Sequence, residues 1–352
     1  MTADVLARRS ATAIAHPNIA LAKYWGKREG DGNVPAVPSL SVTLAGMSTT
    51  TSVSFDATLV DDELVLNGVL QAPDARTKVR ATQLLDRVRA AAVPQLRSSR
   101  ARIVSTNDFP TASGLASSAS GFAALALASV RAAGLDWTAE QVADLARRSS
   151  ASAARSLFGG FVELDGGQGG GAARAVAGPG ALDLRVIVCV TTEAEKATSS
   201  TDGMGTTQAK SPYYAAWVAD APESHRLMRA ALLAGDFARV GELAERSALA
   251  MHACAMAAGI VYVTGATLAA LAEVRAMRAS GLSTYATIDA GPHLKCLVRA
   301  ADAAAARARL ERVPGVLRLI EATPGEGARL VEPQSDLREL VSCESHDQGA
   351  AS

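Results

Sequence analysis

The sequence predicts a mixed α+β chain in two parts, and three observations point to it. Residues 39–58, SLSVTLAGMSTTTSVSFDAT, are rich in β-branched residues and alternate in polarity, the period-2 signature of strands. Residues from about 75 to 92 include TKVRATQLLDRVRAA, whose apolar positions recur at helical spacing. Beyond residue 185 the composition turns helical, with Ala-rich amphipathic stretches at about 213–233, 236–257 and 265–279 before strands return.

Taken in order, 39–58 reads as two antiparallel strands. DDELVLNG adds a short strand ending at Asn67-Gly68, a turn dipeptide. After the helix at 75–92, ARIVSTNDF returns to a strand. PTASGLASSASGFAALALASVRAAG is a small-residue loop running into an apolar helix that stops at Gly134. Thr138 with Gln141 three residues later fits a capping box. SSASAARSL starts a short helix and FGGFVEL leads back into a strand. GGQGGG (166–171) lacks the GxGxxG spacing and precedes no helix, so it reads as a flexible hairpin loop. The second part closes with strands STYATID and LKCLVRA, a helix at about 301–312 and a strand near LRLIEA. The expected division is 1–185, 186–340 and a disordered tail at 341–352.

Composition excludes several classes. The 35 basic and 35 acidic side chains cancel, which argues against a broad basic field for nucleic acid but not against a local phosphate site. Cys189, Cys254, Cys296 and Cys343 are far apart with no CxxC pair, so they read as reduced structural thiols, with Cys189 buried in a VIVCV strand. The N-terminus has no apolar core long enough for a signal peptide, and no stretch approaches the roughly 20 apolar residues of a membrane helix. The expectation is a soluble, cytoplasmic protein.

Four segments carry chemistry. In 110–121, PTASGLASSASG, small residues before a helix let backbone N–H groups approach an anion, and Ser117 and Ser118 can donate to phosphate or bind magnesium; alone, such a segment is more often an ordinary loop. In HPNIALAKYWGKR (16–28) a helical turn would put Lys23 and Lys27 on one face, with Tyr24 and Trp25 holding them against the body as a phosphate clamp; the alternative is two solvated lysines. RRSSASAARS (147–156) brings Ser150, Ser152 and Arg155 within about one and a half turns, and Arg155 can grip a carboxylate through two hydrogen bonds; the alternative is a capping Ser and an exposed Arg. TYATIDAGPH (284–293) ends a strand in Asp289 before a Gly-Pro turn, placing a carboxylate to orient or deprotonate a hydroxyl, or merely to serve the turn.

NIALAKYWGKR, NDFPTASGLASSASGFAAL, SASAARSLFGGFVEL, SSTDGM followed by SPYY, and TIDAGP, in this order, resemble the GHMP small-molecule kinase superfamily and, within it, the diphosphomevalonate decarboxylases. MHACAMAAGIVYVT is similar to the family's C-terminal helix region. The resemblance spans about residues 11–330. It implies a GHMP kinase fold: an N-terminal domain of the ribosomal-protein-S5 type and a C-terminal ferredoxin-like α/β sandwich, the site in the cleft between them, and a homodimer. It implies ATP and Mg2+ as cofactors, and a phosphorylated mevalonate that is phosphorylated on its tertiary hydroxyl and then loses phosphate and CO2.

By matching positions, Asp289 is the catalytic aspartate, Lys23 its neighbouring lysine and Arg155 the carboxylate grip. The resemblance further implies that Tyr24, Lys27, Ser150, Ser152, Ser200 and Met204 would line the substrate pocket. Ser113, Gly114, Ala116, Ser117 and Ser118 form the ATP-phosphate loop, with Ser118 as a magnesium contact. Two positions depart from the pattern. Val37-Pro38-Ser39 replaces an Asn-Ser-Ser that follows the first proline, and His293 stands where DAGPN has asparagine. The competing readings are a decarboxylase of mevalonate 5-phosphate, a kinase that stops at the phosphorylated acid, and a non-catalytic ligand-binding relative.

Overall fold

A computed structural model of the chain describes residues 9–30, 32–109, 117–167, 170–194 and 197–332. The first part runs β1 (Arg9–Ala15), β2 (Asn18–Ala22), β3 (Ser39–Ala45), β4 (Thr49–Asp56), β5 (Glu63–Leu66), β6 (Val69–Leu70), α1 (Arg76–Ala91), α2 (Pro94–Arg97), β7 (Arg100–Asn107), α3 (Ser117–Ala132), α4 (Ala139–Ser149), a 3-10 segment Ala151–Leu157, β8 (Phe161–Leu164) and β9 (Ala173–Ala177). The second runs β10 (Arg185–Val190), α5 (Ser200–Lys210), α6 (Tyr214–Leu233), α7 (Phe237–Met256), α8 (Gly265–Ala279), β11 (Thr284–Ile288), β12 (Leu294–Val298), α9 (Ala303–Leu310), β13 (Arg318–Pro324) and β14 (Arg329–Val331).

Two sheets organise the chain. One has the order β14-β1-β4-β7-β5-β6; the other runs β11-β12-β10-β13-β3-β8-β9, with β2 also paired to β3. The second sheet therefore takes strands from both sides of residue 185. The expected strands in 39–58 exist, but β3 and β4 do not pair with each other: β4 lies between β1 and β7, and β3 joins the other sheet. The connection turns at Gly46, whose φ of +88° is open to glycine at no steric cost, so three residues carry the chain between sheets instead of closing a hairpin. Asn67-Gly68 does close a hairpin, between β5 and β6. GGQGGG connects the antiparallel pair β8 and β9, with residues 168 and 169 outside the described set.

Local signals explain the helices. Thr138 and Gln141 make the reciprocal capping box that starts α4. On α1, Ala81, Leu84, Leu85 and Val88 form the buried stripe. Together with α3 and α4 they cover one face of the first sheet, meeting Val53, Phe55 and Ile103. Small residues let α3 bury most of its circumference. The second sheet is covered on both faces, and its side chains sort by period two. Val186, Val188, Tyr285 and Leu297 face Leu243 and Ala244 of α7, whereas Ile187, Cys189, Ala286 and Cys296 face Val274 of α8 and Leu310 of α9. Cys189, Cys254 and Cys296 are buried free thiols, as expected; Cys343 and the tail expectation for 341–352 lie outside the described residues. Among the described residues no helix is long and apolar enough to cross a membrane.

Short elements β1, β2, β9, β14 and α5 were not anticipated. The consequential one is β2. Residues 18–22 form a buried strand, and 23–28 continue as loop, with Lys27 bridging Pro35. No helical turn places Lys23 and Lys27 on one face. An all-apolar run of NIALA, buried on both sides, carries no period with which to tell strand from helix.

Candidate active site

A cleft of about 570 Å³ collects the chemistry. Its lining includes Lys23, Tyr24, Lys27, Ser117, Ser118, Ser150, Ser152, Arg155, Ser200, Met204 and Asp289. Thus every sequence-predicted site residue within the described set reaches one cleft. Ser113, Gly114 and Ala116 lie outside the described residues.

At the cleft floor Asp289 sits between two ammonium groups. Lys23 Nζ donates to its Oδ1 at 2.6 Å and to the Ala20 carbonyl at 2.9 Å. Lys295 Nζ lies 3.1 Å from Oδ2 as an ion pair. Both lysine side chains are 2% exposed, while Asp289 keeps 25% of its surface towards the cleft. Burial pushes the Asp289 carboxyl up, but the charges of Lys23 and Lys295 outweigh it and hold the group well below the usual carboxylate range. Burial pulls Lys23 down to about 8 against the opposing pull of Asp289.

The chain brings these groups together through backbone placement. β11 ends at Ile288, and Asp289 follows in a turn whose Pro292 carbonyl accepts from the hydroxyls of Thr191 (3.2 Å) and Thr267 (2.6 Å). His293 is buried in the same turn, and its Nδ1 accepts the Thr191 N–H at 3.2 Å. It does not line the cleft, so this departure supports the turn instead of meeting a ligand directly. Lys23 follows β2, and its N–H donates to the Ser247 hydroxyl of α7 at 3.0 Å.

Arg155 is buried, in the 3-10 segment. Its Nε donates to Asn18 Oδ1 at 3.2 Å and an amino nitrogen donates to Ser39 Oγ at 2.9 Å. Asn18 is in turn fixed by donating to Ser156 Oγ (2.7 Å) and the Ser152 carbonyl (3.0 Å). Burial pulls Arg155 down to about 10, still a cation at neutral pH. Ser39, the last residue of the departing Val37-Pro38-Ser39 triplet, orients the arginine from behind; none of the three lines the cleft.

The rim is more open. Lys27 is half-buried and donates to Asn33 Oδ1 (2.7 Å) and Thr201 Oγ1 (3.3 Å). Arg76 and Arg80 lie one turn apart on α1; Arg80 stacks 4.4 Å from the Phe122 ring and donates to the Ser149 carbonyl. Ser150 and Ser152 hydroxyls are 3.3 Å apart. Ser200, Thr201 and Met204 come from α5, seated where Gly203 meets Tyr262: a Cβ there would lie 2.1 Å from the Tyr262 hydroxyl. That hydroxyl donates to the Ser199 carbonyl at 3.2 Å, and Trp25, Met204, Trp217 and Met251 pack around it.

Sequence reasoning missed Lys295, Arg76, Arg80, Asn18 and Asn33. Lys295 had a visible signal, a lone cation inside the apolar strand LKCLV. Arg76 and Arg80, four apart on one helix, looked like any solvated pair.

This geometry matches known proteins along nearly the whole chain. A model of the diphosphomevalonate decarboxylase-like N-terminal domain matches residues 15–175, and one of the mevalonate 5-diphosphate decarboxylase C-terminal domain matches 186–337. The chain belongs to the diphosphomevalonate decarboxylase family. The family's Candida albicans enzyme is 35% identical over 299 residues, 81% of this chain and 83% of its own. The mevalonate diphosphate decarboxylase of Staphylococcus aureus superposes with a TM-score of 0.87 at 33% identity, covering 93% of this chain and 99% of that one. A family structure in complex with MVAPP, AMPPCP and magnesium gives a TM-score of 0.85 at 38% identity, covering 93% and 100%. The mixed α+β architecture is thus the GHMP kinase fold expected from the motifs.

Proposed function

We infer that this chain is an ATP-dependent decarboxylase of mevalonate 5-diphosphate. It phosphorylates the tertiary 3-hydroxyl and then releases phosphate and CO2, leaving isopentenyl diphosphate. The observation that carries this reading is the ionised Asp289 facing the same cleft as the buried Arg155 in a chain of this family. A kinase that stopped at phosphorylation would need the carboxylate but not the arginine.

A tertiary hydroxide leaves poorly and phosphate leaves well. As the C3–O bond breaks, positive charge develops at C3, and the electrons of the C1–C2 bond form the alkene while C1 departs as CO2. In this reading Asp289 accepts the hydrogen bond of the 3-hydroxyl and orients it for attack on the γ-phosphoryl. Lys23 offsets charge on the transferring group. Arg155 grips the carboxylate until it leaves. Tyr24, Lys27, Ser150, Ser152, Ser200 and Met204 hold the substrate and its phosphates, and Ser117 and Ser118, at the α3 N-terminus, meet the phosphates of ATP with Ser113, Gly114 and Ala116.

The lining fits a phosphate-rich ligand with its metal. Arg76, Arg80 and Lys27 converge on the cleft, and the Tyr24 and Ser149 hydroxyls are buried there without a partner among the described residues. Among the described residues no group of three His, Cys, Asp or Glu side chains could cage an ion. Mg2+ would be held by phosphate oxygens, water and a hydroxyl such as Ser118, and when bound it supplies charge neutralisation at the phosphates.

The two family models part between residues 175 and 186, which supports a division near 185 into a phosphate-loop half and a half carrying Asp289. Buried free thiols fit a reducing, cytoplasmic setting. A homodimer rests on the family resemblance and is read by light scattering. The deciding experiment compares mevalonate 5-diphosphate with the 5-monophosphate under ATP–Mg2+. Equal ADP and CO2 from the diphosphate is the expected result; CO2 from the monophosphate alone, or ADP without CO2, overturns the reading.

A further inference from the structure

We propose that Lys295 is a positioning residue for the phosphoryl-transfer step: it holds the second oxygen of Asp289 and so fixes the direction in which that carboxylate meets the substrate hydroxyl. The inference rests on the function proposed above and adds a residue to it.

Placement carries the argument. On β12 the alternation sends Leu294 and Cys296 to the α8 face, and Leu297 to the α7 face. Lys295 shares the parity of Leu297 and sits in register with Thr287 of β11 and Val188 of β10. The strand thus aims a cation at the α7 face, where Asp289 turns in. The side chain is 2% exposed, and its ammonium lies 3.1 Å from Oδ2 with no aligned hydrogen-bond partner among the described residues. A buried charge is costly without a counter-charge, and Asp289 is the anion it meets.

The two lysines are not equivalent. Lys23 is also tied to the Ala20 carbonyl and occupies Oδ1. Lys295 meets Oδ2 as a charge, so it anchors the carboxylate without a second acceptor of its own. The charged and titratable groups around Asp289 are Lys23 after β2, Lys295 on β12, Arg155 in the 3-10 segment and His252 on α7. Burial pulls His252 down to about 4, so it is neutral at working pH, and the carboxylate depends on the cations.

The sign follows. Burial favours protonated Asp289, and removing one cation leaves that push less opposed, so its midpoint rises; Lys23 still holds the group ionised near neutral pH, and what a Lys295 variant loses there is the carboxylate's fixed direction. Lys295→Met and Lys295→Gln are compared with wild type for ADP and CO2 release across pH, with folding checked by circular dichroism and ATP affinity measured separately. Both variants lose the charge, and Gln keeps a hydrogen-bond donor. The expected result for both is kcat reduced about tenfold or more, with KM for the mevalonate substrate and ATP affinity each within about twofold of wild type. An active wild type whose kcat either folded variant shares, or a loss that falls on KM or ATP affinity instead of kcat, overturns the inference alone. A wild type that releases no ADP or CO2 overturns the functional reading and this inference with it.

Discussion

At the floor of the cleft the side chains of Lys23 and Lys295 are each 2% exposed, whereas at the rim Arg76 and Asp202 are each 61% exposed and paired at 3.4 Å. Both regions hold cations near where phosphates are expected, but water treats them differently. Floor charges are desolvated and fixed by neighbours, so removing one leaves its partner buried and uncompensated. Rim charges are screened by solvent and salt, and each contributes little beyond its contact with ligand. Under the proposed function, geometry for the chemical step therefore belongs to the floor, and capture of phosphates to the rim.

The largest effect that tests this contrast is Asp289→Ala, which should lower kcat by about a thousandfold or more while ATP affinity stays nearly intact. Collapse of ATP binding in a folded variant would make the residue structural and erase the distinction. Next, Arg155→Lys keeps the charge but loses the planar fork that Asn18 and Ser39 orient. It should raise KM for the mevalonate substrate by roughly tenfold or more, since a lysine cannot grip a carboxylate through two parallel bonds. An unchanged KM would mean that the arginine does not touch the carboxylate. The smallest effect belongs to the rim: Lys27→Met should raise KM only several-fold, and the gap to wild type should shrink as salt rises. A salt-independent loss of kcat would place Lys27 with the floor groups instead.

The two regions also differed in how legible they were. Asp289 could be read because a strand pattern ended in Asp-Ala-Gly-Pro, and Arg155 because it followed a cluster of serines within one short segment. Lys23 and Lys27 both reach the cleft, but the helical face expected for them does not exist: Lys23 turns inward to Asp289 and Lys27 outward to Asn33 and Thr201. Lys295 went unremarked because its partner lies six residues away across a turn, and the lone cation in LKCLV, though visible, does not say which group it meets.

The sequence by itself determined the α+β class, most of the strands and helices, the family and a set of residues whose described members line one cleft. These depend on local periodicity, capping and short motifs, which act over a few residues. Only the tertiary structure decided which sheet β3 and β4 join, which way each lysine points, and that Asp289 is clasped from both sides. Those outcomes depend on pairings across hundreds of residues, Lys23 with Asp289 and Asn18 with Arg155 among them. The cost of burying charge, which no local pattern records, selects those partners.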